Sequence, residues 1–267
     1  MEKIGLIAGN RKFPLIFAEG ARKKGYSVVA IAIKKDTSVK LKNLVDKIYW
    51  LGLKDFSSMF KIFDKEGVKN VVMAGQISPV RLFSKEISQD PLLKELLASA
   101  KNKKADTLFT AVADKLREKG FNLINSATFM EEYFPKKGLL AGENPSPEIW
   151  GDINFGMELA KEMGRLDVGQ TVAVKDRAIV AVEALEGTDN LIRRAGKISR
   201  RGFTLVKVSK PNQDSRFDIP VVGLNTVRNL VKAGAVCLAI EAGKTIFIDR
   251  DASLSLAAKK GLVVVAI

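Results

Sequence analysis

Lys3-Ile4-Gly5-Leu6-Ile7-Ala8-Gly9-Asn10, followed by residues 14–24 and then by Val28-Val29-Ala30-Ile31-Ala32-Ile33, is the stretch whose reading decides the fold. The first run is apolar and ends in a glycine turn. Residues 14–24 place Leu15, Phe17, Ala18 and Ala21 at helical spacing and stop at Gly25, a residue free to take the left-handed conformation that ends helices. The third run is apolar without alternation, as a strand covered on both faces requires. Strand, helix and buried strand in succession form a βαβ unit, which implies a parallel sheet.

Working outward, the same reading predicts strands at 48–51, 70–74 and 121–124 and helices at 56–66, 91–100 and 106–119. Residues 1–130 therefore read as a Rossmann-like α/β domain with a parallel sheet. Residues 131–149 hold three prolines and two glycines and read as a linker. Residues 150–267 read as a second, catalytic α/β domain. It has helices at 151–163, 189–195, 226–233 and 252–259, and strands at 171–174, 179–182, 203–208, 235–240, 245–248 and 262–267. Two α/β domains enclosing a central ligand cleft are the expected architecture.

Composition narrows the chemistry. With no histidine among 267 residues, Ser-His-Asp and Cys-His catalysis and imidazole-built zinc or iron sites are excluded. Acid–base work falls to carboxylates, Lys or Tyr, and a bound metal is expected to be an oxygen-held Mg²⁺ or Mn²⁺. The single cysteine, Cys237, lies in an apolar run and reads as a small buried hydrophobe. No apolar run approaches the ~20 residues of a spanning helix, and the first residues lack a signal-peptide pattern, so a cytoplasmic location is expected. The net charge of +14 suits an anionic membrane surface or a phosphorylated substrate. Nucleic acid is not expected, since aromatics are 7% and no nucleic-acid-binding motif is present.

Four segments are candidates for function. Gly5-Leu6-Ile7-Ala8-Gly9-Asn10 runs a strand into a turn before a helix, where backbone N–H groups at Gly9 and Asn10 could hold a phosphate. It lacks the third glycine of a dinucleotide fingerprint, although Asp36 after the next strand imitates a ribose-binding acid. Gly75-Gln76 follows another buried strand, at the end where such sheets place ligands, and Gln76 offers both a donor and an acceptor. Gly187-Thr188 opens a helix that carries Arg193-Arg194, a pair suited to phosphate oxygens. A tight turn, a polar loop and an N-cap are the plain alternatives for these three.

The fourth segment runs from Lys207 through Lys210, Gln213, Asp214 and Arg216 to Asp218 and Pro220. Asp214 and Asp218 are four residues apart, on one side of an extended or helical backbone, where they could bind Mg²⁺ or activate water. Lys207 and Lys210 could neutralise charge developing on phosphate. A solvated charged loop is the plain alternative.

These segments, together with Lys104-Ala105-Asp106-Thr107-Leu108, Leu166-Asp167-Val168-Gly169-Gln170, Val182-Glu183-Ala184-Leu185-Glu186-Gly187-Thr188-Asp189 and Glu241-Ala242-Gly243, resemble in order and spacing the LpxI-type UDP-2,3-diacylglucosamine pyrophosphatases. The resemblance runs from about residue 3 to the C-terminus; Asn10 and Ala105 stand where it leads one to expect Gly and Asp. It implies hydrolysis of UDP-2,3-diacylglucosamine to UMP and 2,3-diacylglucosamine 1-phosphate (lipid X), a step of lipid A synthesis at the cytoplasmic face of the membrane. It also implies a divalent metal, two domains around the lipid, and an essential aspartate in the Gln213-Asp214…Asp218 segment. Asp214 is preferred there and Asp218 stays open. The expected partners are the UDP-linked diacylated glucosamine lipid and the anionic inner-membrane surface, with a homodimer left open. A nicotinamide-dependent oxidoreductase and a non-enzymatic sensor of a phosphorylated lipid or nucleotide are the competing readings.

Overall fold

The computed structural model describes residues 1–77, 81, 84–99, 105–211, 214, 216 and 219–267. The expected sites Gln213 and Asp218, the Ser78-Pro79 end of the Gln76 loop and the basic cluster 101–104 lie outside the described residues. The chain divides into two units, Met1–Glu131 with Asp214–Asp218, and Glu132–Gln213 with Ile219–Ile267.

The first unit is built as its opening residues imply. β1 (Lys3–Ala8), α1 (Phe13–Lys23) and β2 (Ser27–Ile33) are followed by β3 (Lys47–Leu51), α2 (Ser58–Glu66), β4 (Asn70–Ala74), α3 (Pro91–Ser99), α4 (Ala105–Glu118) and β5 (Asn122–Leu123). The five strands lie in the order β3-β2-β1-β4-β5 and all pair in parallel. β1 and β2 are buried along nearly their whole length because helices cover both faces of the sheet, which explains the missing alternation in their sequence. Strand order reverses between β1 and β4, and that switch point is where open α/β sheets form a ligand crevice.

The second unit contains β6 (Gly138–Ala141), α5 (Pro147–Arg165), β7 (Thr171–Lys175), β8 (Ala178–Val182), α6 (Thr188–Ser199), β9 (Thr204–Lys207), β10 (Val221–Val222), α7 (Leu224–Ala233), β11 (Cys237–Ile240), β12 (Ile246–Phe247), α8 (Arg250–Lys259) and β13 (Val263–Ala266). Its main sheet has the order β6-β13-β11-β9-β7-β8, with β9, β11 and β13 parallel. β7 is inserted antiparallel between β9 and β8, and β6 closes the far edge antiparallel to β13. β10 and β12 form a separate two-stranded ladder. Apolar side chains pack on both faces of the main sheet, Leu191, Leu205, Leu238 and Phe247 in one cluster and Ile153, Val174, Val206 and Cys237 in another.

The stretch 131–149, expected to be a linker, is a correction. It contributes the edge strand β6 and the first turn of α5, whose N-cap Ser146 accepts from the Ile149 N–H at 3.4 Å. Pro147 at the first helical position is a start signal as much as a break. β6 is short and half-exposed, so it carries no period from which a strand could be read. Among the described residues, no helix is long and apolar enough to cross a membrane.

Two turns meet at the switch point with no room for side chains. A Cβ on Gly75 would lie 2.5 Å from the Asn10 carbonyl oxygen, and the residue holds φ at +82°. Gly75→Ala combines left-handed strain of about 1–2 kcal/mol with crowding of about 1–3 kcal/mol. Gly25, with φ +81° and nothing within 4 Å of an added Cβ, carries the first term alone. Urea titration should therefore show Gly75→Ala clearly less stable than Gly25→Ala; equal losses would refute the close-approach argument.

Candidate functional site

At the switch point of the first unit, Gly9 and Asn10 end β1 and Gly75 and Gln76 end β4. The two turns are bonded to each other: the Gly9 N–H donates to the Ala74 carbonyl at 2.8 Å and the Asn10 N–H to the Gln76 carbonyl at 2.7 Å. Those two amides, expected to be open to a phosphate, are thus spent on joining the turns. The Gln76 side chain is exposed, while the buried Asn10 Oδ1 has no hydrogen-bond partner among the described residues. Asp36, which imitated a ribose-binding acid, is ion-paired to Arg81 with its side chain only 3% exposed. That pairing removes the support for a nicotinamide-dependent reading.

In the second unit the site is built at the end of the sheet where β8, β9 and β11 finish. Lys207, the last residue of β9, is 4% exposed. A buried ammonium needs acceptors and a counter-charge, and the neighbouring strands supply them. β7 runs against β9 in a register that sets Thr171 opposite Lys207, and Lys207 Nζ donates to Thr171 Oγ1 at 3.2 Å. Nζ also donates to Thr188 Oγ1 at 2.9 Å, and that hydroxyl donates to Glu183 Oε1 at 2.6 Å. Glu183 follows β8 directly and is 8% exposed. Burial pushes its carboxyl up, but the Lys207 charge, the Thr171 and Thr188 hydroxyls and the Gln170 backbone outweigh this and hold it below the usual range.

Beside this group Glu241, just after β11, anchors the segment that leaves β9. Its carboxylate accepts from Lys161 Nζ at 2.6 Å, Lys244 Nζ at 2.6 Å and the Ser209 N–H at 2.9 Å, and Lys161 also donates to the Ser209 carbonyl at 2.9 Å. Burial raises the Glu241 carboxyl, and these partners more than offset it. Lys210 Nζ donates to Asp167 Oδ1 at 2.8 Å. The return of the segment is fixed where the Ile246 N–H donates to the Pro220 carbonyl at 2.8 Å.

The structure thus brings together Thr188 and Lys207, with Gly187 supplying the left-handed turn (φ +78°) that starts α6. Arg193 does not join them: it is exposed and its Nε donates to the Asp189 carbonyl one turn back at 3.2 Å. Lys210 stands on the same segment with its own partner. Asp214 groups with the first unit, where both carboxylate oxygens accept from Arg216 Nε, at 2.9 and 3.0 Å. Among the described residues no three His, Cys, Asp or Glu side chains converge as a metal cluster. Glu183 and Glu241 stand in the sequence only within the segments that carry the resemblance, with no role of their own, and Thr171 and Lys161 are not among the candidates there. The available signal was a charged residue immediately after an apolar strand, as in Val182-Glu183 and Ile240-Glu241.

The hydrogen bonds from Arg216 hold the Asp214 carboxyl below its ordinary value. A depressed acid contributes its stabilisation above the unfolded pKa of about 4, and loses it as pH falls through the lower folded value. In Arg216→Gln, carboxyl ¹³C NMR should show Asp214 titrating at higher pH than in the parent chain. An unchanged titration would show that Arg216 is not the cause.

The chain matches the family models described as LpxI N-terminal domain over residues 3–133 and LpxI C-terminal domain over residues 136–265. It is 33% identical over 279 residues to the UDP-2,3-diacylglucosamine pyrophosphatase LpxI of Caulobacter vibrioides, covering 100% of this chain and 98% of that one. Among solved structures, a UDP-glucose-4-epimerase from Stenotrophomonas maltophila has a TM-score of 0.32 at 11% identity, covering 55% of this chain and 40% of that one. A biotin carboxylase domain from Hydrogenobacter thermophilus has a TM-score of 0.30 at 13% identity, over 74% and 42%. The chain spans only about two fifths of the length of these two structures. With both domain models together matching nearly its whole length, and a full-length relative at 33% identity, the chain belongs to the LpxI family.

Proposed function

We propose that this chain hydrolyses the pyrophosphate of UDP-2,3-diacylglucosamine, releasing UMP and 2,3-diacylglucosamine 1-phosphate. The observation that carries this reading is the full-length similarity to the Caulobacter vibrioides UDP-2,3-diacylglucosamine pyrophosphatase. The chain's own residues supply chemistry that suits it. Water oxygen adds to one phosphorus, the bridging P–O bond breaks, and two phosphomonoesters leave with no covalent enzyme intermediate. Charge on the phosphoryl oxygens grows along this path. Lys207 and Lys210 lie where β9 ends and bring positive charge to it.

The metal expected here is Mg²⁺ or Mn²⁺. Mg²⁺ usually keeps several waters and takes only one or two carboxylates plus substrate phosphates. Asp214 supplies an oxygen donor of the right kind, its carboxyl lowered from its ordinary value by Arg216; Oδ1 and Oδ2 each accept two hydrogen bonds from Arg216, with Nε shared between them, so an ion would take the place of part of that pairing. Bound there, the ion would supply Lewis-acid charge to the phosphoryl oxygens. Asp214 would hold the ion or orient water, Arg216 would fix the Asp214 rotamer, and Asp218 is the alternative carboxylate.

A strongly basic chain with a lipid substrate is also proposed to act at the inner face of the cytoplasmic membrane, adsorbed and not inserted. Its net charge is +14. Such attraction is screened over about 8 Å at physiological salt. Binding to anionic vesicles should therefore exceed binding to neutral ones at low salt and fall as salt rises; equal partitioning would count against it.

The reaction is tested by following UMP release. Chelation should stop turnover and Mg²⁺ or Mn²⁺ should restore it. Asp214→Asn should lower kcat by about 10²–10³, the loss expected for one transition-state interaction of roughly 3–4 kcal/mol. Its stability should change by at most about 1 kcal/mol, because the pair with Arg216 is partly exposed. Near-parental turnover in both Asp214→Asn and Asp218→Asn would remove this loop from the mechanism, and full activity in excess chelator would remove the metal.

A further inference from the structure

The buried charge pair at the end of β8 and β9 is not closed. Glu183 Oε2 lies 3.9 Å from Lys207 Nζ, and Oε2 is buried with no hydrogen-bond partner among the described residues. The Lys207 ammonium has three donors, and among the described residues its hydrogen bonds are the two to Thr171 and Thr188. An unused acceptor and an unused donor therefore sit beside each other in a place where unsatisfied polar groups are costly. Contact between the two groups would satisfy both, so the opening is held by something else.

The Thr188 hydroxyl bridges the two groups, with the Thr171 hydroxyl beside it. Its single hydrogen goes to Glu183 Oε1, which leaves a lone pair facing Lys207. The backbone around it is fixed: the Glu183 N–H donates to the Thr171 carbonyl at 2.9 Å, and the Val208 N–H to the Gln170 carbonyl at 2.9 Å. A Cβ on Gly169 would lie 2.2 Å from the Glu183 carbonyl oxygen, so the chain also presses on Glu183 from behind.

We propose that Glu183 is a positioning residue for the hydrolysis, acting through the Thr188 hydroxyl to hold the Lys207 ammonium so that its third N–H is kept for a phosphate oxygen of the substrate. The inference rests on the pyrophosphatase reading and deepens it. Glu183 supplies the negative charge that compensates the buried lysine, yet it stops short of a contact pair that would consume the donor. Thr188, expected to bind substrate directly, becomes the link between the two.

The test is steady-state UMP release from UDP-2,3-diacylglucosamine by the parent chain, Glu183→Gln, Lys207→Met and the double variant. Acting through Lys207, Glu183→Gln should lower kcat by about 10–100-fold with KM within about threefold, and the double variant should be no slower than Lys207→Met alone. Losses that multiply in the double variant, or a Glu183→Gln kcat within about twofold of the parent, would overturn the inference. If Glu183→Gln does not fold, Thr188→Val and Thr188→Ser decide: the first should lose rate and the second, which keeps the hydroxyl, should recover most of it. Equal rates in that pair would overturn the link. A parent chain that releases no UMP overturns the pyrophosphatase reading and this inference with it; a working parent with multiplying losses overturns the inference alone.

Discussion

The end of the second domain's sheet where β8, β9 and β11 finish depends on one strand running against its neighbours. β7 lies antiparallel between β8 and β9, so its first residue stands beside their last ones. A parallel β7 would put its C-terminal residue there instead. In the arrangement that exists, Thr171 accepts from Lys207 through its side chain, and its carbonyl receives the N–H of Glu183. Three residues distant in sequence are gathered by backbone register alone. The buried ammonium is then stabilised by groups that cannot drift, because each is tied to a ladder position. Register of this kind is strongly specified where both sheet faces are covered by apolar side chains, as they are here.

The two domains reach a comparable edge by different physics. In the first, the switch point is made by backbone: the Gly9 and Gly75 turns approach so closely that their peptide groups satisfy one another. In the second, the corresponding edge is made by charge. Glu183 and Glu241 follow β8 and β11, and each is paired with lysines that would otherwise be buried or half-buried without compensation. A backbone-built edge tolerates changes of exposed side chains but not of glycine. A charge-built edge tolerates modest backbone adjustment but not the loss of either sign.

The first domain was legible in sequence because its signals are local. Apolar runs without alternation mark central parallel strands, and glycines close the helices at Gly25 and Gly67. The strand β6 was not legible: of its four residues between prolines only Ala141 is buried, too short a run to show a period. In the site, Lys207 and Thr188 each stood out alone, as a lysine near carboxylates and a helix start. Nothing local shows that they lie 2.9 Å apart, since that follows from the antiparallel insertion of β7. Glu183 carried less signal still. A single acid after a strand reads as a solvated strand end until its burial is known.

The burial of Cys237 has an electrostatic consequence. Packed among Ile153, Val206 and Ala239, its thiol is pushed up to about 12. The sequence contains no histidine, so neither of the side chains that ordinarily change protonation near neutrality is free to do so. No imidazole therefore changes the surface charge of this protein between about pH 5 and 8, the window it would otherwise cover. The proposed adsorption to an anionic surface would then have ionic strength as its main control.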